Sequence, residues 1–295
     1  MPHAKDRSLR DVFDYIVVGG GATGCALAAR LSEDSSCRVL LLEEGPHARH
    51  PFIRMAGGFF KTHGTKRTFL FHTEPTPGAN NREIVLLQGR TLGGGTAINA
   101  MCYSRGQQQD YDDWAAQGCI GWGYHDVLPY FKRAEHNYRL SAPYHGNDGP
   151  LRVSDGVHRH ELSYAFIVAA QQAHGVPGLP VTFNHDFNGD SQSGVGFYQT
   201  MSWRGERSSS YSAYIESAGP RKNLSVHTNS RALKVLFEGT RAVGGCVQRG
   251  GKIQDIRAER EVILSAGTFM SPKLLMLSGI GPAWHLKEHG IRAIG

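Results

Sequence analysis

Six residues near the start of the chain, Gly19-Gly20-Gly21-Ala22-Thr23-Gly24, restrict the fold more than any others. They follow a short apolar run, Asp14-Tyr15-Ile16-Val17-Val18, which reads as a buried parallel strand. They open an Ala/Leu-rich stretch, Ala22 to Leu31, that reads as a helix, and Cys37 to Leu42 is a second apolar strand. Strand, glycine turn, helix and strand within about 30 residues make a βαβ unit. In that setting the G-x-G-x-x-G spacing has a physical meaning. Gly19 permits a tight turn, Gly21 lets backbone N–H groups approach a pyrophosphate, and Gly24 lets helix and strand pack closely. The helix N-terminus adds partial positive charge beneath the phosphates. Glu43 stands about 20 residues beyond Gly24, where a carboxylate accepts hydrogen bonds from ribose hydroxyls and repels a 2′-phosphate. Glu44 is expected to face the other way, as a solvated carboxylate. The fingerprint alone leaves FAD and NAD open.

The chain has 295 residues, 40% of them hydrophobic and 20% charged. That balance excludes a disordered chain and allows one or two domains with a sizeable core. The net charge is +6, but the basic residues are scattered, so no nucleic-acid partner is expected. Five cysteines, Cys25, Cys37, Cys102, Cys119 and Cys246, form no CxxC pair. They argue against a disulfide framework and for a reducing, cytoplasmic setting. The N-terminus, Met1 to Asp14, is polar and lacks the apolar segment of a signal peptide. No window reads as a transmembrane segment, and only peripheral membrane association is left open. The pairs His47/His50 and His158/His160 lack acidic companions and read as solvated loop residues, so no metal site is expected.

Further along, residues 45–110 read as long loops rich in Gly, Pro and aromatics. Helical pieces are expected at Tyr124 to His136 and Glu161 to His174, with a strand at Pro150 to Val153. From Asn223 short strands repeat as LSVHT, ALKVLFEG, AVGGCVQ, KIQDIRA and EVILSAG. A short helix follows, with Ser271 as N-cap, Pro272 at its first position and Gly279 as its stop. Ser208-Ser209-Ser210 lacks a G-x-S-x-G elbow and reads as the start of a helix toward Tyr214 and Ile215. Trp114 and Trp122 read as packing residues.

A second glycine segment, Gly89-Arg90-Thr91-Leu92-Gly93-Gly94-Gly95-Thr96-Ala97-Ile98-Asn99-Ala100-Met101-Cys102-Tyr103-Ser104-Arg105-Gly106, offers exposed N–H donors to a flat or anionic group. It lacks the GK[ST] ending of a nucleoside triphosphate loop. Here the sequence resembles the glucose–methanol–choline (GMC) oxidoreductases. A second signature of that family matches Gly267-Thr268-Phe269-Met270-Ser271-Pro272-Lys273-Leu274-Leu275-Met276-Leu277-Ser278-Gly279-Ile280-Gly281. The blocks DYDDWAAQGCIGWGYHDVLPYFKRAEHN, YHGNDGPLRVS and HDFNGDSQSGVGFYQT resemble its choline-dehydrogenase-like branch.

The resemblance implies an α/β fold, α+β overall. A Rossmann-like FAD-binding domain with a parallel sheet and a β-meander would be joined to part of a substrate-binding domain. The expected segments are 12–150 and 223–295 for the cofactor domain and 151–222 for the substrate region. It further implies that Ala22 and Thr23 sit over the pyrophosphate and Glu43 on the adenosine ribose. Gly93, Gly94, Gly95, Asn99, Ala100, Met101 and Cys102 would line the stretch from diphosphate to isoalloxazine, and Arg90 is a further expected cofactor-binding residue. Ala232 would offer its backbone to adenine. Cys102 is expected to be a small buried residue. Gly95 stands where a Ser is common, and Thr96 is a candidate to replace the lost hydroxyl. No His occupies the loop, so FAD is expected to be held non-covalently.

In the family a His takes the proton of an alcohol while its carbinol hydride passes to flavin N5, and oxygen or a quinone reoxidises the flavin. The His and its partner lie in the C-terminal part of full-length relatives. They are expected beyond Gly295, which falls in a presumptive strand, GIRAIG. No catalytic residue is assigned. The chain is then the FAD-binding N-terminal part of an alcohol oxidoreductase, inactive alone. A truncated, non-catalytic nucleotide-binding protein and an NAD-dependent dehydrogenase are the alternatives.

Overall fold

A computed structural model describes residues 12–178 and 180–294. Met1 to Asp11 of the polar N-terminal segment, and Gly295, lie outside the described residues. In chain order the strands are β1 (Val12–Val18), β2 (Val39–Leu42), β3 (Thr68–His72), β4 (Val85–Gly89), β5 (Glu135–Asn137), β6 (Leu151–Val153), β7 (Ser202–Trp203), β8 (Glu206–Arg207), β9 (Leu224–His227), β10 (Ser230–Glu238), β11 (Arg241–Arg249) and β12 (Lys252–Leu264). The α-helices are α1 (Ala22–Leu31), α2 (Pro51–Arg54), α3 (Gln108–Ala116), α4 (Tyr124–Ala134), α5 (Glu161–Gln172), α6 (Gly267–Leu277) and α7 (Ala283–Glu288). No helix among the described residues is long and apolar enough to cross a membrane.

The chain forms two compact units. The first holds the described residues of Met1–Ile53, Gly58–Ile98 and Ser210–Gly295. Its six-stranded sheet runs β10-β11-β12-β1-β2-β9. β12, β1, β2 and β9 are parallel, and β10, β11 and β12 form an antiparallel meander. The runs YIVV and VLLL lack alternation because both faces of the sheet are covered. Val17, Val39 and Leu41 pack with Cys25 and Ala28 of α1 on one face. Ile16, Leu40 and Leu42 pack with Val247 and Ile256 of the meander and Leu274 of α6 on the other.

Among the parallel strands the sequence order β1, β2, β9, β12 becomes the spatial order β9-β2-β1-β12. The order reverses between β1 and β12, and such a switch point opens a crevice at the carboxyl ends of the strands. α1 starts there. A Cβ on Gly24 would lie 1.9 Å from the Gly19 carbonyl oxygen, so only glycine allows helix and turn to approach this closely. The helix ends where Ser32 caps it, its hydroxyl donating to the Ala29 carbonyl at 3.0 Å.

Several elements differ from the sequence expectation. KIQDIRA and EVIL are one 13-residue strand, β12, which pairs with β11 along its first part and with β1 along its second. The polar stretch between the two apolar parts lies where the strand changes partners. The 45–110 segment contains a hairpin, β3–β4, in register from Thr68↔Gly89 to His72↔Val85. α6 begins at Gly267, and Pro272 lies in its second turn. Ser271 does not cap from in front. Its hydroxyl accepts the Ala266 N–H from inside the helix, at 3.1 Å. Residues 291–294 form no strand and are tied instead by Ile291 N–H to Leu286 O and Ile294 N–H to Gly279 O. Tyr211–Glu216, beyond the serine triplet, winds as a short π-helix.

The second unit comprises Arg54–Gly57 and Asn99–Ser209. This division differs from 12–150, 151–222 and 223–295, because residues 99–150 pack with 151–209. β5 and β6 pair in parallel, and Thr200 bridges both Cys102 and Ser154. The centre of this unit is ionic. Glu135 is fully buried and accepts from Arg105 Nη2 at 2.6 Å. Both ring nitrogens of His145 meet carboxylates, Nδ1 with Glu135 at 2.9 Å and Nε2 with Asp186 at 2.9 Å. Asn137 joins Glu135 to Gln199 at 2.7 Å on each side. Burial alone would lower the His145 pKa, but the two carboxylates outweigh it and hold it above the ordinary imidazole range. Asp186, raised by burial, ends below the usual carboxylate range through its bonds to His145 and the Asn188 N–H.

Candidate functional site

At the switch point the first unit encloses a cavity of about 850 Å³. Sites for large ligands commonly measure about 300–1,000 Å³. Two helix N-termini open onto it. Ala22 and Thr23, the exposed first turn of α1, line one side, and Gly267 and Thr268 of α6 line another. Gly21, the N-cap of α1, is extended and has no side chain to satisfy the first-turn N–H groups. These donors and the helix dipole therefore face the cavity, as an anion requires. The second glycine segment closes in from across the turn. A Cβ on Gly94 would lie 2.7 Å from Gly21 Cα, so the two backbones meet without side chains between them. Gly93 N–H donates to Gly20 O at 2.7 Å and locks the loops together.

Glu43 follows β2 and is 7% exposed. Its Oε2 accepts the Gly20 N–H at 3.0 Å and its Oε1 the Gly45 N–H at 2.8 Å. Burial pushes its carboxyl above the usual range, and these two N–H bonds oppose that shift. Each oxygen keeps a lone pair for a hydroxyl in the cavity. Glu44 also lines the cavity, paired with Arg90 at 3.1 Å and Arg231 at 3.6 Å. It is not the solvated carboxylate expected, because β2 has ended at Leu42 and strand alternation no longer applies. Cys25, beneath the turn, donates to Gly20 O at 3.2 Å, and burial pushes its thiol up to about 12, so it is inert packing.

Of the residues expected from sequence, Gly19, Gly21, Ala22, Thr23, Glu43, Gly94, Gly95 and Ala232 line the cavity. Gly24, Arg90 and Gly93 stand behind its wall. Gly24 seats α1, Gly93 bonds Gly20, and Arg90 pairs with Glu44 and stacks on Phe69 at 5.2 Å. Asn99, Ala100, Met101 and Cys102 belong to the other unit and do not line it. Cys102 is exposed, not buried, while its neighbours Met101 and Tyr103 are buried. Thr96 does not replace a Gly95 hydroxyl, since its own donates to Gly93 O at 2.6 Å.

Sequence reasoning missed Phe69, Leu87 and Gln88 of the hairpin, and Ser230, Arg231 and Leu233 beside Ala232. The β-rich runs TFLFH and VLLQG were the available signal for the hairpin. Neighbouring residues of β10 line the cavity together because the β10–β11 register shifts between Ala232 and Lys234, a bulge that re-aims the chain. Elsewhere, His47 is no solvated residue. It packs edge-on against Tyr211 at 5.0 Å, and burial lowers its pKa. Trp114 and Trp122 are half-exposed and touch each other edge-on.

Fold and cavity together define a protein that holds an elongated, partly anionic cofactor at the switch point of a doubly wound sheet. The family model described as GMC oxidoreductase matches residues 13–295, and the chain belongs to that family. It is 45% identical over 279 residues, 94% of this chain and 50% of the relative, to an oxygen-dependent choline dehydrogenase of Sinorhizobium fredii. It is 43% identical over 287 residues, 96% of this chain and 51% of the relative, to an alcohol dehydrogenase (acceptor) of Pseudomonas putida. Among solved structures, pyridoxine 4-oxidase from Mesorbium loti superposes with a TM-score of 0.89 at 31% identity, covering 96% of this chain and 55% of that one. An FAD-dependent oxidoreductase from Chaetomium thermophilum superposes with a TM-score of 0.87 at 30% identity, covering 95% and 50%. The chain spans about half the length of the curated relatives it matches.

The residues present fit FAD, the cofactor this family membership indicates. Gln88 Oε1 and Ser265 Oγ are buried without a partner, and both residues line the cavity. The first-turn N–H groups of α1 on the cavity wall suit the anionic diphosphate of FAD, and the Glu43 carboxylate suits its ribose hydroxyls.

Proposed function

We propose that this chain is the FAD-binding part of an oxidoreductase acting on the CH–OH group of an alcohol. The observation that carries the reading is the cavity, with two helix N-termini and two glycine loops converging at the switch point. Bound FAD would supply the hydride acceptor. The N–H groups of Ala22 and Thr23 would hold its pyrophosphate and the Glu43 carboxylate its ribose hydroxyls. The Ala232 backbone would meet adenine, and Gly94 and Gly95 would lie along the diphosphate. Assigning Asn99, Ala100, Met101 and Cys102 to the flavin rests on the family resemblance alone. No residue contributes a covalent flavin link in this reading. In this reading the chain contributes the cofactor site, and none of its residues is assigned as the base that takes the alcohol proton. The names of the relatives suggest choline or another alcohol as donor. The acceptor is oxygen or a quinone, and the setting is the cytoplasm, with or without peripheral membrane contact.

The test is to refold the chain with FAD and follow flavin absorbance through gel filtration. Flavin co-eluting with protein, displaced by ADP and not bleached by alcohols, is the expected result. Failure to retain flavin, or retention of NAD in its place, would remove the reading.

A further inference from the structure

The sequence assigned Ser210 only to a helix start, yet it joins both glycine loops. It is 5% exposed and immediately precedes the π-helix Tyr211–Glu216. Its N–H donates to Thr96 Oγ1 at 2.9 Å, and its hydroxyl lies 3.0 Å from the same atom. The Thr96 hydroxyl donates in turn to Gly93 O at 2.6 Å. The Ser210 hydroxyl also reaches the Gly21 carbonyl, 3.3 Å away. Three segments far apart in sequence thus meet through two hydroxyls: the α1 turn, the second glycine loop and the π-helix. A loop of bare glycines has no side chains to fix its position and the largest backbone entropy to lose. The Gly93 N–H to Gly20 O bond ties the loops at one point, and contacts from outside the loop fix where its remaining N–H groups point.

We propose that Thr96 and Ser210 form a hydroxyl clasp that holds the two glycine loops in register for the cofactor, and that both are positioning residues. The inference rests on the cavity being the FAD site, but the clasp itself can be read without cofactor. Thr96→Val keeps the side-chain shape and removes the hydroxyl, whereas Thr96→Ser keeps the hydroxyl and removes the methyl. A packing role would tolerate the first and suffer from the second, and a clasp reverses that order.

The experiment measures amide hydrogen exchange of the cofactor-free chain, with FAD and ADP titrations alongside. In Thr96→Val, amides of both 19–24 and 93–95 should exchange about tenfold faster, while those of 243–248 in β11 keep their rate. FAD and ADP should each bind about tenfold more weakly, and Thr96→Ser should match the parent in every readout. If Thr96→Val fails to fold by near-UV circular dichroism, Ser210→Ala carries the same expectation. Faster exchange in one loop only, or a tolerated Val with an impaired Ser, overturns the clasp. Absence of FAD and ADP binding in the parent chain overturns the cofactor reading instead, and the exchange pattern still decides the clasp.

Discussion

Glu135→Gln should unfold the second unit far more readily than any surface change. The Glu135 carboxylate is fully buried and faces two cations, Arg105 at 2.6 Å and His145 at 2.9 Å, whose side chains are 3% and 2% exposed. Glutamine keeps the volume and one acceptor but removes the charge. The Arg105 guanidinium is then left beside a neutral amide in a site closed to water. Removing one partner of such a pair costs about 3–5 kcal/mol, against about 0–1 kcal/mol for an exposed pair. For a unit of this size that corresponds to a midpoint lowered by roughly 10–20 °C.

The pH dependence adds a signature. Both nitrogens of His145 face carboxylates, and a neutral imidazole can donate through only one. Its folded pKa is raised, so its stabilisation is complete below the unfolded value of about 6.5 and is lost as pH rises through the folded value. The folded pKa of Asp186 is lowered, so its stabilisation is present above about 3.9 and is lost as pH falls through the folded value. Stability of this unit should therefore peak between those limits. Glu135→Gln should move the alkaline loss to lower pH, because His145 keeps only Asp186. Thermal melts followed by near-UV circular dichroism across pH measure both effects. A loss under about 1 kcal/mol, or an unmoved alkaline limb, would refute the argument that this cluster holds the unit together.

Other substitutions test the first unit. Gly24→Ala puts a methyl 1.9 Å from the Gly19 oxygen, and displacing α1 should cost about 1–3 kcal/mol or more in urea unfolding and abolish FAD retention. Leu41→Ala, at a fully buried central position, should cost about 2–5 kcal/mol by the same assay. Gly95 has open space around its Cβ position and lines the cavity. Gly95→Ser should leave the melting midpoint unchanged and tighten FAD by a few-fold, about one hydrogen bond's worth, in a fluorescence titration. Weaker binding would place the cofactor away from that residue.

The parts of the fold that were legible in sequence are those with one dominant local cause. β1, α1 and β2 follow from two apolar runs around a glycine turn, and their bounds agree within about two residues. The β3–β4 hairpin was hidden because its strands lie among Gly, Pro and turn residues, and side chains such as Leu70, Val85 and Leu87 stay substantially exposed. Glu44 was misjudged by extending strand alternation past the end of the strand. The Thr96–Ser210 contact and the Glu135 cluster depend on residues brought together only by tertiary folding, and no periodicity announces them. Gly24 and Gly94 were readable because close backbone approach admits one residue type, whereas Ala232, Gln88 and Ser265 line the cavity at positions where the residue type carries no such signal.

If the cavity at the β1–β12 switch point holds FAD, adding FAD to the chain should give saturable amide protection at 19–24, 94–95, 230–233 and 265–271, with no change in β11. Saturable binding that protects other segments, or no protection at all at saturating FAD, would contradict that placement.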